Sequence, residues 1–276
     1  AVTATVESAC DIMQPSLMQS ATCPTSGLER NRRLLRPNGL VVMLGADNAE
    51  DTFPATGPVD AQLQLLSFTS VDGAPFAIIV NYACHNNCIN GIYHADIGGR
   101  IGDALRQQYG NPLVTPFLEA PCGDVIWQGP SGGPERGDPL ARMIGDATAT
   151  SVHNALTTAR PAPVERIAIR STLEHYPDRR WEDSTFCRDD CRGSSEEMRV
   201  QQRRRYDPEE AAVIARGATT CAVELTGISF GDVAIVTNPA ELFVEFGIEI
   251  KERSPFAVTL VAELTNGYCG YVGPEP

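Results

Sequence analysis

Four apolar stretches of the sequence each lead into a loop that carries a side chain suited to acid, base or metal chemistry. These side chains are an imidazole, two carboxylates and a phenol, in chain order His85, Asp124, Glu241 and one of Tyr268 and Tyr271. Imidazole and carboxylate groups are common zinc ligands, and a catalytic zinc site keeps one position open for water. The residue types therefore predict a divalent-metal site, with zinc as the expected ion.

The segments around these residues predict an α/β fold in which a mixed central β-sheet is flanked by helices. Strands are predicted at residues 63–68, 76–82, 116–120, 167–173, 221–230, 233–237 and 256–263, and helices at 1–18, 96–109, 138–159, from 207, and at 240–253. In an open α/β sheet, ligands bind beyond the carboxyl ends of the strands. The loops that carry the polar side chains are therefore expected to converge.

The chain is predicted to form a single domain over residues 1–276, because no linker or internal repeat divides it. Residues 22–56 are rich in Pro, Gly, Asn and Arg and are predicted to be mostly loop. Residues 174–206 are dense in charged residues and are predicted to form a polar, lid-like surface excursion. The alternation of apolar and polar residues over 167–173 predicts a half-buried strand.

The composition excludes several classes of protein. The 276 residues are 42% hydrophobic and 21% charged, which is typical of a globular chain. The net charge of -13 repels phosphate backbones, so no nucleic-acid partner is expected. No apolar run approaches the roughly 20 residues that a membrane-spanning helix needs, and no targeting signal is visible. The odd number of cysteines, nine, leaves the redox compartment open, and the sequence does not indicate an oligomeric state.

Each candidate residue also has a structural interpretation. A histidine at the end of a strand is about as often a hydrogen-bonded structural residue as a ligand, and Glu241 suits the first turn of a helix, where a carboxylate is stabilised by the helix dipole. The two tyrosines are consistent with packing at an edge. His94 is near the candidate site and stays a possible member of it, whereas His153 and His175 are expected to be structural or exposed.

A set of motifs in a fixed order resembles the catalytic domain of the neutral (non-lysosomal) ceramidases and their bacterial relatives. The resemblance covers about Asn31 to Tyr271. Its motifs are Gly57-Pro-Val-Asp60, Asn81-Tyr-Ala-Cys-His85, Ala95-Asp96, Ala120-Pro-Cys-Gly-Asp-Val125, Gly231-Asp-Val-Ala-Ile-Val-Thr-Asn-Pro-Ala-Glu241 and Asn266-Gly-Tyr-Cys-Gly-Tyr271. The ordered set is far more specific than any one of its members.

The resemblance implies a metal-dependent amidase. Members of the family hold zinc with two histidines, a glutamate and a tyrosine, and the zinc activates the water that attacks the amide of an N-acylated sphingoid base. The matching ligands in this chain are His85, Glu241 and either Tyr268 or Tyr271. The partner implied is a small-molecule or lipid amide, and secretion or a periplasmic location is favoured.

The resemblance also implies roles for residues around the metal. Asn31-Arg32 resembles a family element whose arginine lies near the substrate, so Arg32 is a candidate for stabilising the developing oxyanion and Asn31 for binding substrate. Asp124 is a candidate catalytic carboxylate. Asp96 is a candidate substrate-binding residue, and either aspartate is a candidate to orient a metal ligand from behind.

Two departures from the family pattern bear on the activity. The first zinc histidine of the family lies in a Thr-His-Thr-His-Ser-Gly element that this sequence lacks, so the chain is expected to be a fragment of a longer protein or to hold an incomplete metal site. In addition, Ile126-Trp127 follows Gly-Asp-Val where ceramidases have Ser-Pro. This difference favours a relative that acts on another amide or ester.

Two other hypotheses belong to different functional classes. The first is a non-catalytic remnant or binding domain of the same fold without a complete zinc site. The second is a thiol enzyme that uses Cys84 or Cys88 beside His85. Because adjacent residues on a strand point to opposite faces, Cys84 and His85 are not expected to form a nucleophile and base pair.

Overall fold

A computed structural model of the chain describes residues 2–37, 53–71, 75–127, 136–177 and 220–274, together with 39, 41–43, 73, 200, 208, 211–212, 215 and 217. Its helices are α1 (Val2–Asp11), α2 (Asp96–Tyr109), α3 (Gly137–Leu156) and α4 (Val244–Arg253). Its strands are β1 (Ser16–Pro24), β2 (Glu29–Asn31), β3 (Arg33–Leu35), β4 (Val41–Met43), β5 (Gln62–Ser70), β6 (Pro75–Tyr82), β7 (Phe117–Glu119), β8 (Val125–Trp127), β9 (Arg160–Pro161), β10 (Ile167–Pro177), β11 (Thr220–Phe230), β12 (Val233–Thr237), β13 (Glu241–Leu242), β14 (Val258–Ala262) and β15 (Tyr271–Val272). The mixed α/β class predicted from the sequence is confirmed.

A five-stranded sheet in the order β7-β6-β5-β1-β9 forms the centre of the fold. Strands β6 and β7 are parallel, whereas β5 is antiparallel to both β6 and β1. Helices α2 and α3 cover one face of this sheet, and their apolar residues pack with those of β5 and β6 in one buried cluster. The two helices approach closely at Gly145, where an added Cβ atom would lie 2.8 Å from the backbone carbon of Arg100.

A second, four-stranded sheet in the order β10-β11-β12-β14 packs on the other face of the first. The layer between the two sheets joins Met18 and Leu66 of the first sheet to Val233 and Leu260 of the second. Strands β12 and β14 are parallel, so both sheets are mixed. The sequence predicted one central sheet, but the loops that carry the candidate site residues follow strands of two sheets.

The side chain of Asn81 links the two sheets beneath these loops. It is 1% exposed, and its Nδ2 donates to the carbonyl oxygens of Leu118 in β7 and Val261 in β14, at 2.9 Å each. The N–H of Val261 donates back to Asn81 Oδ1 at 3.2 Å. Since β7 and β14 belong to different sheets, one amide sets the relative position of their carboxyl ends.

Replacing Asn81 by leucine is expected to lower the free energy of unfolding by about 3 kcal/mol or more, because each buried backbone group left without a partner costs about 1–3 kcal/mol. Urea unfolding followed by circular dichroism measures the change. Asn154→Leu in the last turn of α3 is a suitable control, because that side chain is exposed and is expected to change the stability little. Equal stability of Asn81→Leu and the parent protein would contradict this role.

The structure corrects three predictions of local structure. Residues 22–56 were predicted to be mostly loop. The described part of this segment instead contains the end of β1 and the strands β2, β3 and β4. The predicted N-terminal helix ends at Asp11, and β1 begins at Ser16. Strand β10 was predicted to be half-buried, but it is exposed along most of its length, with Ile169 67% exposed, and among the described residues it pairs with β11 alone at the edge of its sheet.

The predicted lid lies largely outside the described residues. Its first four residues, 174–177, belong to β10, and the structure does not describe 178–199 or 201–207. The lid and the single-domain organisation stay predictions. In the described part of the chain, no helix has both the length and the hydropathy needed to span a membrane.

Candidate metal-binding and catalytic site

The loop after β6 carries His85 and is held by hydrogen bonds on both sides. Asn86 donates its N–H to Glu119 Oε1 at 3.1 Å, and its Oδ1 accepts from Gly98 N–H in α2. Farther along, the carboxylate of Asp96 accepts from the N–H groups of Cys88 and Ile89 at 3.1 and 2.7 Å. His85 therefore sits on an anchored loop, with its side chain 12% exposed.

Glu241 lies in a short strand rather than at the start of a helix, which corrects the element predicted for it. Strand β13 pairs in parallel with β15, and this register sets Glu241 opposite Tyr271. The N–H of Glu241 donates to the carbonyl oxygen of Gly270 at 2.9 Å. The helix α4 begins three residues later, at Val244.

A close backbone approach brings this strand next to the loop that follows β7. Gly123 donates its N–H to the carbonyl oxygen of Leu242 at 2.9 Å. A Cβ atom on Gly123 would lie 2.5 Å from the carbonyl oxygen of Glu241, so any larger residue would push the two segments apart. Glycine at position 123 is thus required by the packing of the site.

His85, Glu241 and Tyr268 meet at this point. The Nε2 atom of His85 lies 3.4 Å from Glu241 Oε2, and the hydroxyl of Tyr268 donates to Glu241 Oε1 at 2.9 Å. Tyr268 is 66% exposed, so this side of the site faces solvent. The structure brings together the histidine, the glutamate and one of the two candidate tyrosines.

Burial and neighbouring charges set the ionisation of these groups. Burial, and then the positive charge of Arg32, lower the pKa of His85 to about 4, although Glu241 opposes this shift. The imidazole is therefore neutral at pH 7 and has a lone pair to offer. The hydrogen bond to Glu241 raises the pKa of Tyr268 to about 12, and burial raises the pKa of Tyr271.

Arg32 lies beside this cluster with one donor unused. Its Nη2 donates to the carbonyl oxygen of Gly123 at 2.7 Å, and its guanidinium carbon lies 5.4 Å from the centre of the Tyr271 ring. Its Nε is buried and has no hydrogen-bond partner among the described residues. Since an unpaired buried donor is costly, this N–H is suited to a ligand atom.

Asp124 is a buried carboxylate that joins three segments of the site. Its Oδ2 accepts from Asn31 Nδ2 at 2.6 Å, and its Oδ1 accepts from the N–H of Val244 at 2.8 Å. The Asn31 amide also donates to the carbonyl oxygen of Pro58. The catalytic role predicted for Asp124 and the substrate-binding role predicted for Asn31 stay predictions.

The change Asp124→Asn is expected to lower the free energy of unfolding by about 2 kcal/mol, because hydrogen bonds to a charged group are worth about 1.5–3 kcal/mol and the new amide would face the amide of Asn31. Thermal and urea unfolding measure the loss. Asp146→Asn on the exposed face of α3 is the matched control, and it should change the stability by no more than about 0.5 kcal/mol. A loss as small as that of the control would show that Asp124 does not hold the site together.

Asp96 and His94 lie beside the anchored loop. Besides Cys88 and Ile89, the Asp96 carboxylate accepts from its neighbour Ile97, and the residue is 3% exposed. His94 Nδ1 accepts from the N–H of Asp96 at 2.8 Å, and His94 Nε2 lies 3.2 Å from Arg100. In this structure both residues stabilise the loop, and a role of Asp96 in substrate binding stays a prediction.

Sequence reasoning missed three residues on the inner side of His85. Its Nδ1 atom lies 3.2 Å from the Sγ of Cys122, and that sulfur lies 3.1 Å from Glu263 Oε1 and 3.7 Å from Glu119 Oε1. One donor atom from each of His85, Glu119 and Cys122 lies within 4.8 Å of the other two, which is a possible metal-binding group. Glu119 ends β7 and Glu263 follows β14, so their positions at strand ends were the available signal.

The thiol-enzyme hypothesis finds little support in this geometry. Cys84 is fully buried in the core cluster with α2 and α3. Cys122 does contact His85, but burial and the nearby carboxylates Glu263 and Glu119 hold the pKa of its thiol well above the ordinary value. A reactive cysteine needs the opposite, an exposed and electropositive setting.

Comparison with known proteins identifies solved structures with a similar fold. No family model and no curated protein matches the chain. The structure of neutral ceramidase from Pseudomonas aeruginosa superposes with a TM-score of 0.66 at 15% identity, covering 98% of this chain and 48% of that one. A ceramidase complexed with C2 superposes with a TM-score of 0.64 at 15% identity, covering 96% and 49%. The chain therefore spans about half the length of these proteins and shares the fold of that half.

Proposed function

We propose that this chain carries the metal centre of a hydrolase that cleaves an N-acyl amide bond in a ceramide-like lipid or a related amide. The observation that carries the proposal is the meeting of His85 Nε2, the Glu241 carboxylate and the Tyr268 hydroxyl on the solvent side of a fold shared with neutral ceramidases. These are three of the donor types that the resemblance implies.

The residues present suit a divalent metal ion, with zinc expected. His85 is neutral, so its Nε2 has a lone pair when the other nitrogen carries the proton, and Glu241 and Tyr268 supply oxygen donors beside it. Tyr271 lies opposite Glu241 in the β13–β15 pair and is the alternative phenol. A metal ion held there supplies an activated water and polarises the amide carbonyl.

The chain's own residues supply the other parts of the reaction. Arg32 Nε is a buried donor without a partner among the described residues, its guanidinium lies beside the Tyr271 ring, and it suits the oxygen that gains charge when the carbonyl is attacked. The Tyr268 hydroxyl keeps its proton at neutral pH and holds the Glu241 carboxylate in place. Asp124 fixes Asn31 and the start of α4 around them.

The proposal is tested by metal content and hydrolysis measured on the same protein. The chain is loaded with zinc, desalted and analysed by elemental analysis, then assayed with an N-acyl sphingoid base, a short-chain amide and an ester. His85→Ala is expected to lose both zinc and hydrolysis, whereas His175→Ala, on the exposed strand β10, should retain both. Hydrolysis that survives a chelator and the His85 substitution would overturn the proposal.

The binding-domain hypothesis predicts a different pattern. A remnant of the fold would give no hydrolysis of any of the three substrates, and His85→Ala would leave the metal content unchanged. The ester and the short amide decide between a ceramide-like substrate and a smaller one, since Ile126-Trp127 replaces the Ser-Pro of ceramidases.

A further inference from the structure

The imidazole of His85 separates two sets of donor atoms. Nε2 faces Glu241 on the solvent side, at 3.4 Å from Oε2. Nδ1 faces inward to Cys122, which is completely buried. Behind Cys122 lie Glu119 and Glu263, of which Glu263 is 5% exposed.

We propose that Cys122, Glu119, Glu263 and the Nδ1 atom of His85 form a second, buried metal site that binds a zinc-like divalent ion through sulfur, nitrogen and oxygen. The site does not depend on the proposed hydrolase activity. It shares only His85 with the solvent-side set and uses the other ring nitrogen. An imidazole that loses both protons binds through both nitrogens, so occupation of one site does not exclude the other.

The separations between the Cys122 sulfur and the other donor atoms suit tetrahedral coordination. Zinc bonds of about 2.3 Å to sulfur and about 2.0–2.2 Å to nitrogen or oxygen place neighbouring ligand atoms about 3.5 Å apart in a tetrahedron. The three distances from Cys122 Sγ are 3.2 Å to Nδ1, 3.1 Å to Glu263 and 3.7 Å to Glu119. The donor atoms of His85, Glu119 and Cys122 all lie within 4.8 Å of one another, and Glu263, which lies outside that group, has to move toward them to complete the site.

The electrostatics of the cluster favour a cation. Glu119 and Glu263 both lie against the sulfur of Cys122, which is completely buried, and Glu263 is 5% exposed. Three acids that face one another in a buried place need either protons or a positive ion, and a metal ion supplies its charge to all three at once.

The scaffold holds these ligands on rigid elements. The N–H of Glu263 donates to the carbonyl oxygen of Glu119 at 3.0 Å, which fixes the end of β14 against the end of β7. Glu263 Oε2 accepts from Leu242 N–H at 2.8 Å, so its other oxygen is directed at the sulfur of Cys122. Asn81 ties the same two strands together beneath them.

The donor types select the ion. A thiolate together with an imidazole and carboxylates suits zinc and related transition metals, whereas magnesium and calcium prefer oxygen donors alone. Four protein ligands and no exposed position are the mark of a closed, structural site. The expected role of such an ion is to fix the orientation of the His85 ring by binding its Nδ1 atom, on the side away from Glu241.

The experiment loads the whole chain with Co²⁺ and records the near-ultraviolet band that arises from charge transfer between a thiolate and cobalt. X-ray absorption of the zinc-loaded protein should show a sulfur neighbour at about 2.3 Å. Cys122→Ser is expected to abolish the band and the sulfur neighbour and to weaken metal binding by more than about 100-fold, beyond the range for a residue that only supports a ligand.

Matched variants separate this site from the other cysteines and from the solvent-side set. Cys23→Ser removes a partly buried thiol outside the cluster and should leave the band intact, as should Glu241→Gln. If Cys122→Ser fails to fold, Glu263→Gln serves instead and should weaken binding while the band shifts. The proposal is overturned if cobalt does not bind near stoichiometrically, if it binds without a thiolate band, or if the band survives Cys122→Ser.

The same samples distinguish this inference from the proposed function. A thiolate band in a chain that hydrolyses no substrate would support the buried site and count against the hydrolase. Hydrolysis by a protein whose metal has only nitrogen and oxygen neighbours would support the hydrolase and overturn the buried site.

Discussion

Replacing Glu241 by glutamine is expected to lower kcat/KM for amide hydrolysis by at least about 10³-fold. A neutral amide is a poor metal ligand, and the charge stabilisation that a bound metal gives the transition state is worth several kcal/mol, at about 1.4 kcal/mol for each factor of ten. The shape of the side chain is kept, so the hydroxyl of Tyr268 can still donate to Oε1. The loss should therefore appear in chemistry and metal content rather than in folding.

Steady-state kinetics with the best amide substrate measure kcat/KM, elemental analysis measures the zinc content, and thermal unfolding measures the stability of the fold. Glu249→Gln is the matched control, because that carboxylate lies nearby in α4 and pairs with Arg253 on the helix surface. Parent-like kcat/KM in Glu241→Gln, with zinc still bound, would show that Glu241 is not a ligand in the reaction.

The sequence predicted Glu241 as a site residue but assigned it to the wrong element, and the reason is physical. Helix-like spacing and an acidic residue after Pro239 indicated a helix start near residue 240, because such patterns use only local information. The strand β13 exists because β15 pairs with it, and β15 lies about thirty residues farther along the chain. A two-residue strand with a distant partner leaves no periodicity to detect.

The hairpin of β5 and β6 and the helix α2 show the opposite case. The strands predicted at residues 63–68 and 76–82 lie within β5 and β6, and α2 covers Asp96–Tyr109 as predicted. These elements rest on local signals, namely turn residues and helical spacing. They place His85 at a strand end, as the sequence predicted.

The inner cluster could not be predicted, because it depends on how two sheets meet. Glu119 and Glu263 lie 144 positions apart in the sequence, at the ends of strands that belong to different sheets. Only the packing of β14 against β7 brings them to the same sulfur. Cys122 was noticed only as part of a motif, since a lone cysteine in an apolar segment is usually inert core.

Replacing Arg32 by glutamine is expected to lower kcat by about 10²–10³-fold with a smaller effect on KM. The loss of one preorganised donor to a developing oxyanion has this size in other hydrolases. The reason to expect it here is that Arg32 Nε is buried and has no hydrogen-bond partner in the part of the chain that the structure describes, close to His85 and Tyr271. A donor that the folded chain leaves unsatisfied contributes most when the transition state supplies an acceptor.

The same substitution also carries a prediction for pH dependence. The positive charge of Arg32 lowers the pKa of His85, so its removal should raise that pKa from about 4 toward the ordinary value of about 6.5. Because burial is the larger cause of the shift and stays in place, the rise should be partial. An NMR titration of His85 in the metal-free chain measures it.

Arg33→Gln is the control for both effects, since the guanidinium of Arg33 lies 5.1 Å from the ring of Phe243 and is not among the charges that shift His85. Arg32→Lys tests geometry separately from charge: it should keep the pKa of His85 low but recover little of kcat, because an ammonium cannot place a donor where Nε lies. If the Arg32→Gln variant keeps the kcat of the parent protein and the pKa of His85 is unchanged, then Arg32 is not part of the site. If the pKa of His85 changes while kcat stays that of the parent protein, then Arg32 lies near His85 but does not contribute to the reaction.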